Sequence, residues 1–242
     1  MQRVVTVGAS ISGPDTAAAL AGVTESPLYA SVKDRYHPYF GDWAFRNSHI
    51  DRHPPISHIK GRTVTFEDGF EVNNVDHIIL GTGYSWTLPF LPDMEIRNNR
   101  VPGLYMHVFN RQDPTLTFVG AVAAGFTFKV FEWQAVLAAR YLAGRITLPP
   151  IAEQKKWEED RIALKGDGVA FTALYPHFEE YFEEVRALAG EPKNGNGGRR
   201  LPKFDPEWRS NFDAAHLKRI AMWQELNRKA EEEIASSRTT WH

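Results

Sequence analysis

The stretch RVVTVGASISGPDTAAAL, residues 3–20, decides which fold we expect for this chain. Its apolar start, residues 3–7, predicts a short strand, and residues 12–23 predict a helix with Pro14 in the first turn, where a missing N–H costs nothing. A glycine turn joins the two. Residues 27–32, PLYASV, predict a second strand, so the segment forms a strand–turn–helix–strand unit that is typical of α/β proteins.

The turn from Gly8 to Gly13, GASISG, fits the pattern G-x-[GS]-x-x-G, which cradles the phosphates of a dinucleotide. Gly8 permits a tight turn, the small Ser10 lets a pyrophosphate approach the backbone, and Gly13 allows the helix to pack closely on the strand. The helix N-terminus offers free N–H groups and a partial positive charge. We interpret the turn as a dinucleotide site; the alternative is an ordinary strand–turn–helix connection.

The end of the second predicted strand indicates which dinucleotide binds. NAD sites place a carboxylate there for the ribose hydroxyls, whereas a 2′-phosphate requires a hydroxyl and cations. Ser31, Lys33 and Arg35 supply these groups, with Asp34 among them. The pattern favours NADP over NAD; the alternative is that Lys33 and Arg35 are ordinary solvated charges.

Composition excludes several classes of protein. The 242 residues include no cysteine, which rules out disulfides and thiolate chemistry, and the formal net charge of −2 provides no field for nucleic acid or a membrane surface. No apolar run reaches about 18 residues, the length that a membrane span needs. We therefore expect a cytoplasmic protein with neither a nucleic-acid nor a membrane partner.

The rest of the chain mixes strands and helices. Residues 34–58 are expected to be irregular, and 62–72 predict a hairpin that turns at Asp68-Gly69. Further expected elements are a buried strand at 75–84, a strand at 115–122, a helix at 128–145, a helical region at 151–189, a flexible loop at 190–206 and a helix at 207–236.

Two helices carry apolar positions that we expect to face the core. In the helix at 128–145 they are Phe131, Ala135, Leu137, Ala138 and Leu142, and in the helix at 207–236 they are Leu217, Ile220, Ala221, Leu226, Ala230 and Ile234.

Other clusters are not expected to carry chemistry. Pro54 and Pro55 break the register of the neighbouring histidines, so we predict no metal site at His49, His53 and His58. Gly166-Asp-Gly168 follows a charged helix and is expected to end it. Four acidic residues are expected on a solvated helix face: Glu153, Glu158, Glu159 and Asp160.

Residues 76–92, DHIILGTGYSWTLPFLP, add a more specific signal. Together with GASISGPD, SVKDR, LYMHVF, DPTLTFVG and FKVFEWQAVLAARYLAG, they make the chain resemble the flavin-containing monooxygenases, particularly the fungal-type members, which suggests a role in secondary metabolism. The resemblance covers residues 3 to about 225 in order. The TGY–PFL block and the glycine turn are specific together, and each is weak alone.

The resemblance implies a domain organisation and a set of cofactor-binding residues. Residues 1–84 would be a Rossmann-like NADPH-binding domain, 85–150 the returning C-terminal half of an FAD-binding domain, and 151–242 a helical tail. Gly8, Ser10, Ser12 and Gly13 would hold the NADPH pyrophosphate, and Ser31 and Lys33 the 2′-phosphate, beside Arg35. Thr82, Gly83 and Tyr84 would form the crossing between the domains, with Gly81 in place of the family's alanine.

The resemblance also implies an activity. Such enzymes use NADPH, FAD and oxygen to oxygenate a small organic molecule, and no residue need be a nucleophile or general base, so we assign no catalytic residue. Lys129, Glu132 and Gln134 would lie near the flavin, unless they are simply exposed polar residues at a helix start. The substrate is not readable.

The sequence also departs from the family pattern at its start, because neither the FAD glycine loop nor the monooxygenase signature of the family precedes the NADPH turn. We therefore expect a partly exposed face on the returning half, formed by Phe90, Phe109, Phe118, Phe126 and Phe131. Four explanations stay open: a second polypeptide, a homo-oligomer, repacking for another task, or a gene model cut short. Two other functions also stay open, a non-redox enzyme that has lost FAD and an inactive binding protein.

Overall fold

The computed structural model describes residues 1–33, 35–123, 125–192 and 198–239. It contains two compact units, one formed by Met1–Tyr84 with Asp213–His242 and the other by Ser85–Phe212. Asp34 and residues 193–197 of the expected flexible loop lie outside the described residues. Within the described ranges, no helix is both long enough and apolar enough to cross a membrane.

The first unit is built around a parallel sheet of four strands. Its elements before residue 85 are β1 (Val4–Val7), α1 (Ser12–Leu20), β2 (Leu28–Ser31), a 3₁₀ turn (Trp43–Arg46), β3 (Ile50–His53), β4 (Ile56–Lys60), β5 (Thr63–Phe66), β6 (Glu71–Val72) and β7 (His77–Leu80). The sheet order is β3-β2-β1-β7, and every neighbouring pair is parallel. The remaining three strands form an antiparallel sheet in the order β4-β5-β6.

Both faces of the parallel sheet are covered, which is why its central strands are apolar almost throughout. On one face, Ala17 of α1 packs in a cluster with Val4, Leu28 and Ala30. On the other face, Val5 packs with residues of the antiparallel sheet, including Val64 and Phe66. The predicted strands and helix at residues 3–32 and the hairpin at 62–72 are confirmed.

Two expectations for the first unit are wrong. Residues 34–58 are not wholly irregular, because they contain β3 and the start of β4. The sequence of β3, IDRH, has no apolar alternation, so its pairing with β2 defines it as a strand. The strand predicted at 75–84 exists as β7 but is not deeply buried, since Leu80 is 71% exposed.

The second unit combines a short hairpin with helices. Its elements are β8 (Leu104–Tyr105), β9 (Phe109–Asn110), α2 (Thr127–Leu142), α3 (Ile151–Lys165), α4 (Val169–Thr172), α5 (Phe178–Ala189) and the start of α6 (Pro206–Thr239), the later part of which belongs to the first unit. The core of the second unit forms where α2 and α5 pack together, around Trp133, Leu137, Phe182 and Val185.

The predicted strand at 115–122 is wrong. Only an isolated bridge between Phe109 and Thr117 forms there, supported by the Phe118 amide, which donates to the Val108 carbonyl over 2.7 Å. The glycine at 120 has a φ of +94°, a conformation that does not continue a strand.

On two helices, some of the residues predicted to face the core are exposed, and other residues are buried in addition. On α2, Leu137 and Ala138 are buried as expected, but Ala135 and Leu142 are exposed, and the buried set includes the polar Gln134 and Arg140. On α6, Ala230 is buried as expected, and Ile220 and Leu226 pack against the cluster that contains Trp223, whereas Leu217 is 67% exposed. The expected face is therefore confirmed in part on α6, and on α2 the polar Gln134 and Arg140 occupy buried positions.

The phenylalanine face is mostly covered. Phe109 is fully buried, and Phe126 lies in an aromatic cluster in which its ring meets Phe178 at 4.6 Å and Phe212 at 5.1 Å. Phe118 and Phe131 are partly buried. Of the five, Phe90 is exposed, at 74%.

Glu158 is buried, and its assignment to a solvated helix face is wrong. Its carboxylate accepts from Arg100 over 2.7 Å, from the Gly103 amide over 3.1 Å and from Arg111. Asp167 also accepts from Arg100, over 2.6 Å, and Arg100 is 1% exposed. Burial alone would raise the pKa of Glu158, but these donors hold that pKa below its ordinary value.

We expect Glu158→Ala to lower the free energy of unfolding by about 3 kcal/mol or more, because it removes one partner of a buried ion pair. The matched control is Asp160→Ala on the same helix, which removes an exposed pair with Lys156 and costs about 0–1 kcal/mol. Urea denaturation measures both. The stabilisation by Glu158 is present above the carboxyl's unfolded-state pKa and is lost as the pH falls through the depressed folded-state pKa. Equal losses in the two variants would contradict the buried role.

Candidate functional site

A pocket of about 500 Å³ lies at the carboxyl ends of β1, β2 and β7. In open parallel sheets this edge is where ligands bind. Six of the ten residues that we predicted to bind a cofactor line the pocket: Gly8, Ser10, Ser31, Lys33, Arg35 and Thr82. The strand register explains this convergence, because Val7, which precedes Gly8, pairs with Ser31 on one side and with Leu80 on the other.

Three glycines form the floor of this edge by direct backbone contact. A Cβ on Gly8 would meet the Gly81 carbonyl, one on Gly13 would meet the Gly8 carbonyl, and one on Gly81 would meet the Gly13 amide nitrogen, each closer than 3.0 Å. Gly8 also has a φ of +118°, which side chains disfavour. Its amide donates to Ser31 O over 3.0 Å, and the Gly81 amide donates to Val7 O over 2.7 Å. The start of α1 is therefore held against the ends of β1 and β7.

Ser31 and the two cations differ in how they are presented. Ser31 is 2% exposed, and its hydroxyl donates to the Pro54 carbonyl over 3.3 Å, so the hydroxyl is already engaged within the protein. Lys33 and Arg35 are exposed at the pocket wall, and the Arg35 amide donates to Lys33 O over 2.6 Å. The pocket thus combines a glycine floor with a cationic rim.

The remaining predicted residues lie outside the pocket lining. Ser12 begins α1, and Gly13 is buried beneath the turn, where it packs against Gly8. Gly83 and Tyr84 follow Thr82 away from the pocket, and Tyr84 is 96% exposed.

An aliphatic wall was missed by the sequence analysis. It consists of Pro55, Ile56, Ile59, Ile78 and Leu80, which line the pocket together with the glycine turn. Pro55 and Ile56 lie in the segment 34–58 that was expected to be irregular. The spacing of Ile56 and Ile59 in ISHIK gives no strand alternation, so only the pairing of β4 with β5 locates them.

Lys129, Glu132 and Gln134 of α2 have contacts within the second unit. Gln134 is fully buried, and not an exposed polar residue at a helix start: it accepts from the Gly120 amide over 2.8 Å and donates to Tyr181 Oη over 2.7 Å. Lys129 lies 3.8 Å above the Trp208 ring, and Glu132 pairs with Arg199 at 2.9 Å.

The histidines at 49, 53 and 58 do not share a site. His49 faces Glu233 at 3.3 Å, whereas His53 lies between Asp51 and Asp68. A search of the described residues finds no group of three or more potential metal ligands.

We expect Gly81→Ala to destabilise the protein by about 1–3 kcal/mol, because the added Cβ overpacks the contact with Gly13 and pushes α1 from the sheet. Gly168→Ala is the matched control: its φ of −168° suits any residue, and no described atom lies within 4 Å of the added Cβ. The free energy of unfolding in urea measures both. If the two variants are equally stable, the close backbone contact at Gly81 is not a structural requirement.

Comparison with known proteins identifies a matching family, similar sequences and a similar fold. Residues 47–191 match the family described as "Flavin-binding monooxygenase-like". Senecionine N-oxygenase of Tyria jacobaeae is 29% identical over 79% of this chain and 43% of its own length, and trimethylamine monooxygenase of Methylocella silvestris is 30% identical over 72% and 40%.

The chain therefore spans less than half the length of these two relatives. Among solved structures, S-allyl-L-cysteine S-oxygenase from Allium sativum has a similar fold, with a TM-score of 0.68 and 22% identity over 97% of this chain and 55% of its own. The α/β fold and the family match agree with the resemblance in the sequence, and the chain belongs to the flavin-binding monooxygenase-like family.

Proposed function

We propose that residues 1–84 form a Rossmann-like NADPH-binding domain and that the chain contributes to a flavin-dependent monooxygenase reaction on a small molecule. The observation that carries the proposal is the pocket at the ends of β1, β2 and β7. It brings the glycine turn and two cations together beside an aliphatic wall.

The residues of the pocket fit NADPH. The bare backbone at Gly8 and the small Ser10 leave room for a pyrophosphate beside the N-terminus of α1, which carries a partial positive charge. Lys33 and Arg35 offer the positive charge that a 2′-phosphate requires. The aliphatic wall, including Ile56 and Ile59, offers an apolar surface for the planar part of a nucleoside.

Ser31 has a different role from the one expected. Because its hydroxyl donates to Pro54 O and the residue is 2% exposed, we assign it to fixing the end of β2. Recognition of the 2′-phosphate then depends on Lys33 and Arg35. The chain's own contribution is to bind and orient the coenzyme, which supplies a hydride when it is bound.

The residues present do not provide an evident FAD site. The sequence contains one G-x-[GS]-x-x-G turn, and that turn is accounted for by the NADPH pocket. We propose residues 85–150 as part of an FAD-type domain, followed by a helical region at 151–242, on the basis of family membership alone. We assign no residue to flavin and derive no step through it.

The proposed substrate is a small molecule with a nucleophilic nitrogen atom. Two relatives are named senecionine N-oxygenase and trimethylamine monooxygenase. Both relatives are longer than this chain. The oxygenation itself is a property that we propose for the whole enzyme. A flavin-free enzyme and a binding protein are the alternative outcomes of the tests below.

We expect Lys33→Ala to weaken NADPH binding about tenfold or more, since a hydrogen bond to a charged group contributes about 1.5–3 kcal/mol. The affinity for NADH, which lacks the 2′-phosphate, is expected to fall less than about twofold by the same reasoning. Isothermal titration calorimetry measures both affinities. Lys60→Ala, which removes an exposed lysine of β4 that does not line the pocket, is the control. An equal loss for the two coenzymes in Lys33→Ala would refute the 2′-phosphate contact.

The flavin part of the proposal is tested by the visible spectrum of the purified chain after gel filtration with added FAD. A flavin band that elutes with the protein is the expected result if the chain, alone or as an oligomer, completes an FAD site. A colourless protein that still binds NADPH would restrict the function of this chain to the NADPH-binding part.

A further inference from the structure

His53 stands out among the buried polar residues of the first unit because it lies beside the pocket without lining it. It ends β3, and its side chain is 9% exposed. The imidazole stacks on Phe70 at 4.1 Å and 13°, and on Phe66 at 4.7 Å and 26°. The ring therefore packs on the antiparallel hairpin of β5 and β6 rather than pointing into the pocket.

Polar contacts fix the orientation of this ring. Nδ1 hydrogen-bonds Asp68 Oδ2, in the turn of the hairpin, over 3.2 Å, whereas Nε2 lies 3.3 Å from Asp51 Oδ2 without forming a hydrogen bond. The Phe70 amide donates to the other oxygen of Asp68 over 3.0 Å. The pKa of Asp68 is lowered mainly by the hydrogen bond from the Phe70 amide and further by the His53 ring. Asp68 is therefore ionised at neutral pH. The hairpin turn and the end of β3 are thus joined through the imidazole.

The backbone next to His53 holds the segment that leads to Lys33. The His53 carbonyl accepts from the Val32 amide over 2.9 Å, and the Pro54 carbonyl accepts from the Ser31 hydroxyl over 3.3 Å. Both donors immediately precede Lys33. The backbone carbonyls of residues 53 and 54 thus anchor residues 31 and 32, the two residues before Lys33.

We propose that His53 is a positioning residue for recognition of the coenzyme 2′-phosphate, acting through Val32 and Ser31 on Lys33. This inference rests on the proposed NADPH function. The Gly8 amide of the pyrophosphate cradle donates to the Ser31 carbonyl over 3.0 Å, but neither Gly8 nor Gly13 bonds to the imidazole, Asp68 or Phe70, and Val32 and Lys33 lie beyond that bond toward the 2′-phosphate end. Loss of the imidazole contact is therefore expected to affect the 2′-phosphate end of the pocket more than the rest.

The test uses two variants that disturb the contact from opposite sides. His53→Phe keeps the stacking on Phe66 and Phe70 but removes the bond to Asp68. Asp68→Asn removes the carboxylate from an exposed turn in which Asn-Gly is as acceptable as Asp-Gly, so folding is preserved. Each variant is expected to raise the Kd for NADPH about three- to tenfold, as for loss of one hydrogen bond, with less than about twofold change for NADH. The double variant is expected to lose no more than the single ones, because both act on one contact.

His49→Phe is the matched control. His49 also faces a carboxylate at 3.3 Å, and its carbonyl accepts from the Leu28 amide over 2.8 Å, but at the opposite end of β2. It is expected to leave both affinities unchanged.

The outcomes separate this inference from the proposed function. If wild-type protein prefers NADPH and both variants keep that preference, or lose both coenzymes equally, the positioning role is refuted while the NADPH site stands. If wild-type protein binds neither coenzyme, the proposed function and this inference fall together.

Discussion

The contact among Gly8, Gly13 and Gly81 is the constraint on which the first unit depends. Three backbone segments, the turn after β1, the start of α1 and the residue after β7, meet there more closely than any side chain would permit. This approach lets α1 lie against the sheet with Ala17 fully buried. The same lack of side chains leaves the backbone at Gly8 accessible to the pocket. One packing requirement thus creates both the close contact within the α/β layer and the open backbone at the pocket.

The glycine at position 81, where the sequence resemblance leads one to expect alanine, is explained by this contact. A methyl group there would lie closer than 3.0 Å to the Gly13 amide nitrogen and Cα. Gly81 is not among the glycines with a positive φ. The requirement for glycine at position 81 is therefore steric and not conformational. The residue is therefore part of the helix–sheet contact, although it also lines the pocket.

The second unit depends on a different kind of interaction. The buried Glu158 carboxylate accepts hydrogen bonds from two arginines and a backbone amide. The Gln134 side chain connects the Gly120 amide to Tyr181. Pairing matters for buried polar groups of this type, because each unpaired one costs more than a typical hydrogen bond contributes. The bonds of Glu158 hold the segment at 97–111, which contains the short β8–β9 hairpin, against α3.

The sequence by itself determined the local units whose signals lie within a few residues. These are the strand–turn–helix–strand at the N-terminus, the Asp68-Gly69 hairpin, the helices at α2 and α3, and the residue types at the candidate coenzyme pocket. Only the tertiary structure decided that IDRH is a strand, that Glu158 is buried, and that Ser31 is engaged by Pro54. Each of those outcomes depends on a partner that is distant in the sequence. Short-range periodicity cannot predict such a partner, because it shows only which nearby residues are apolar.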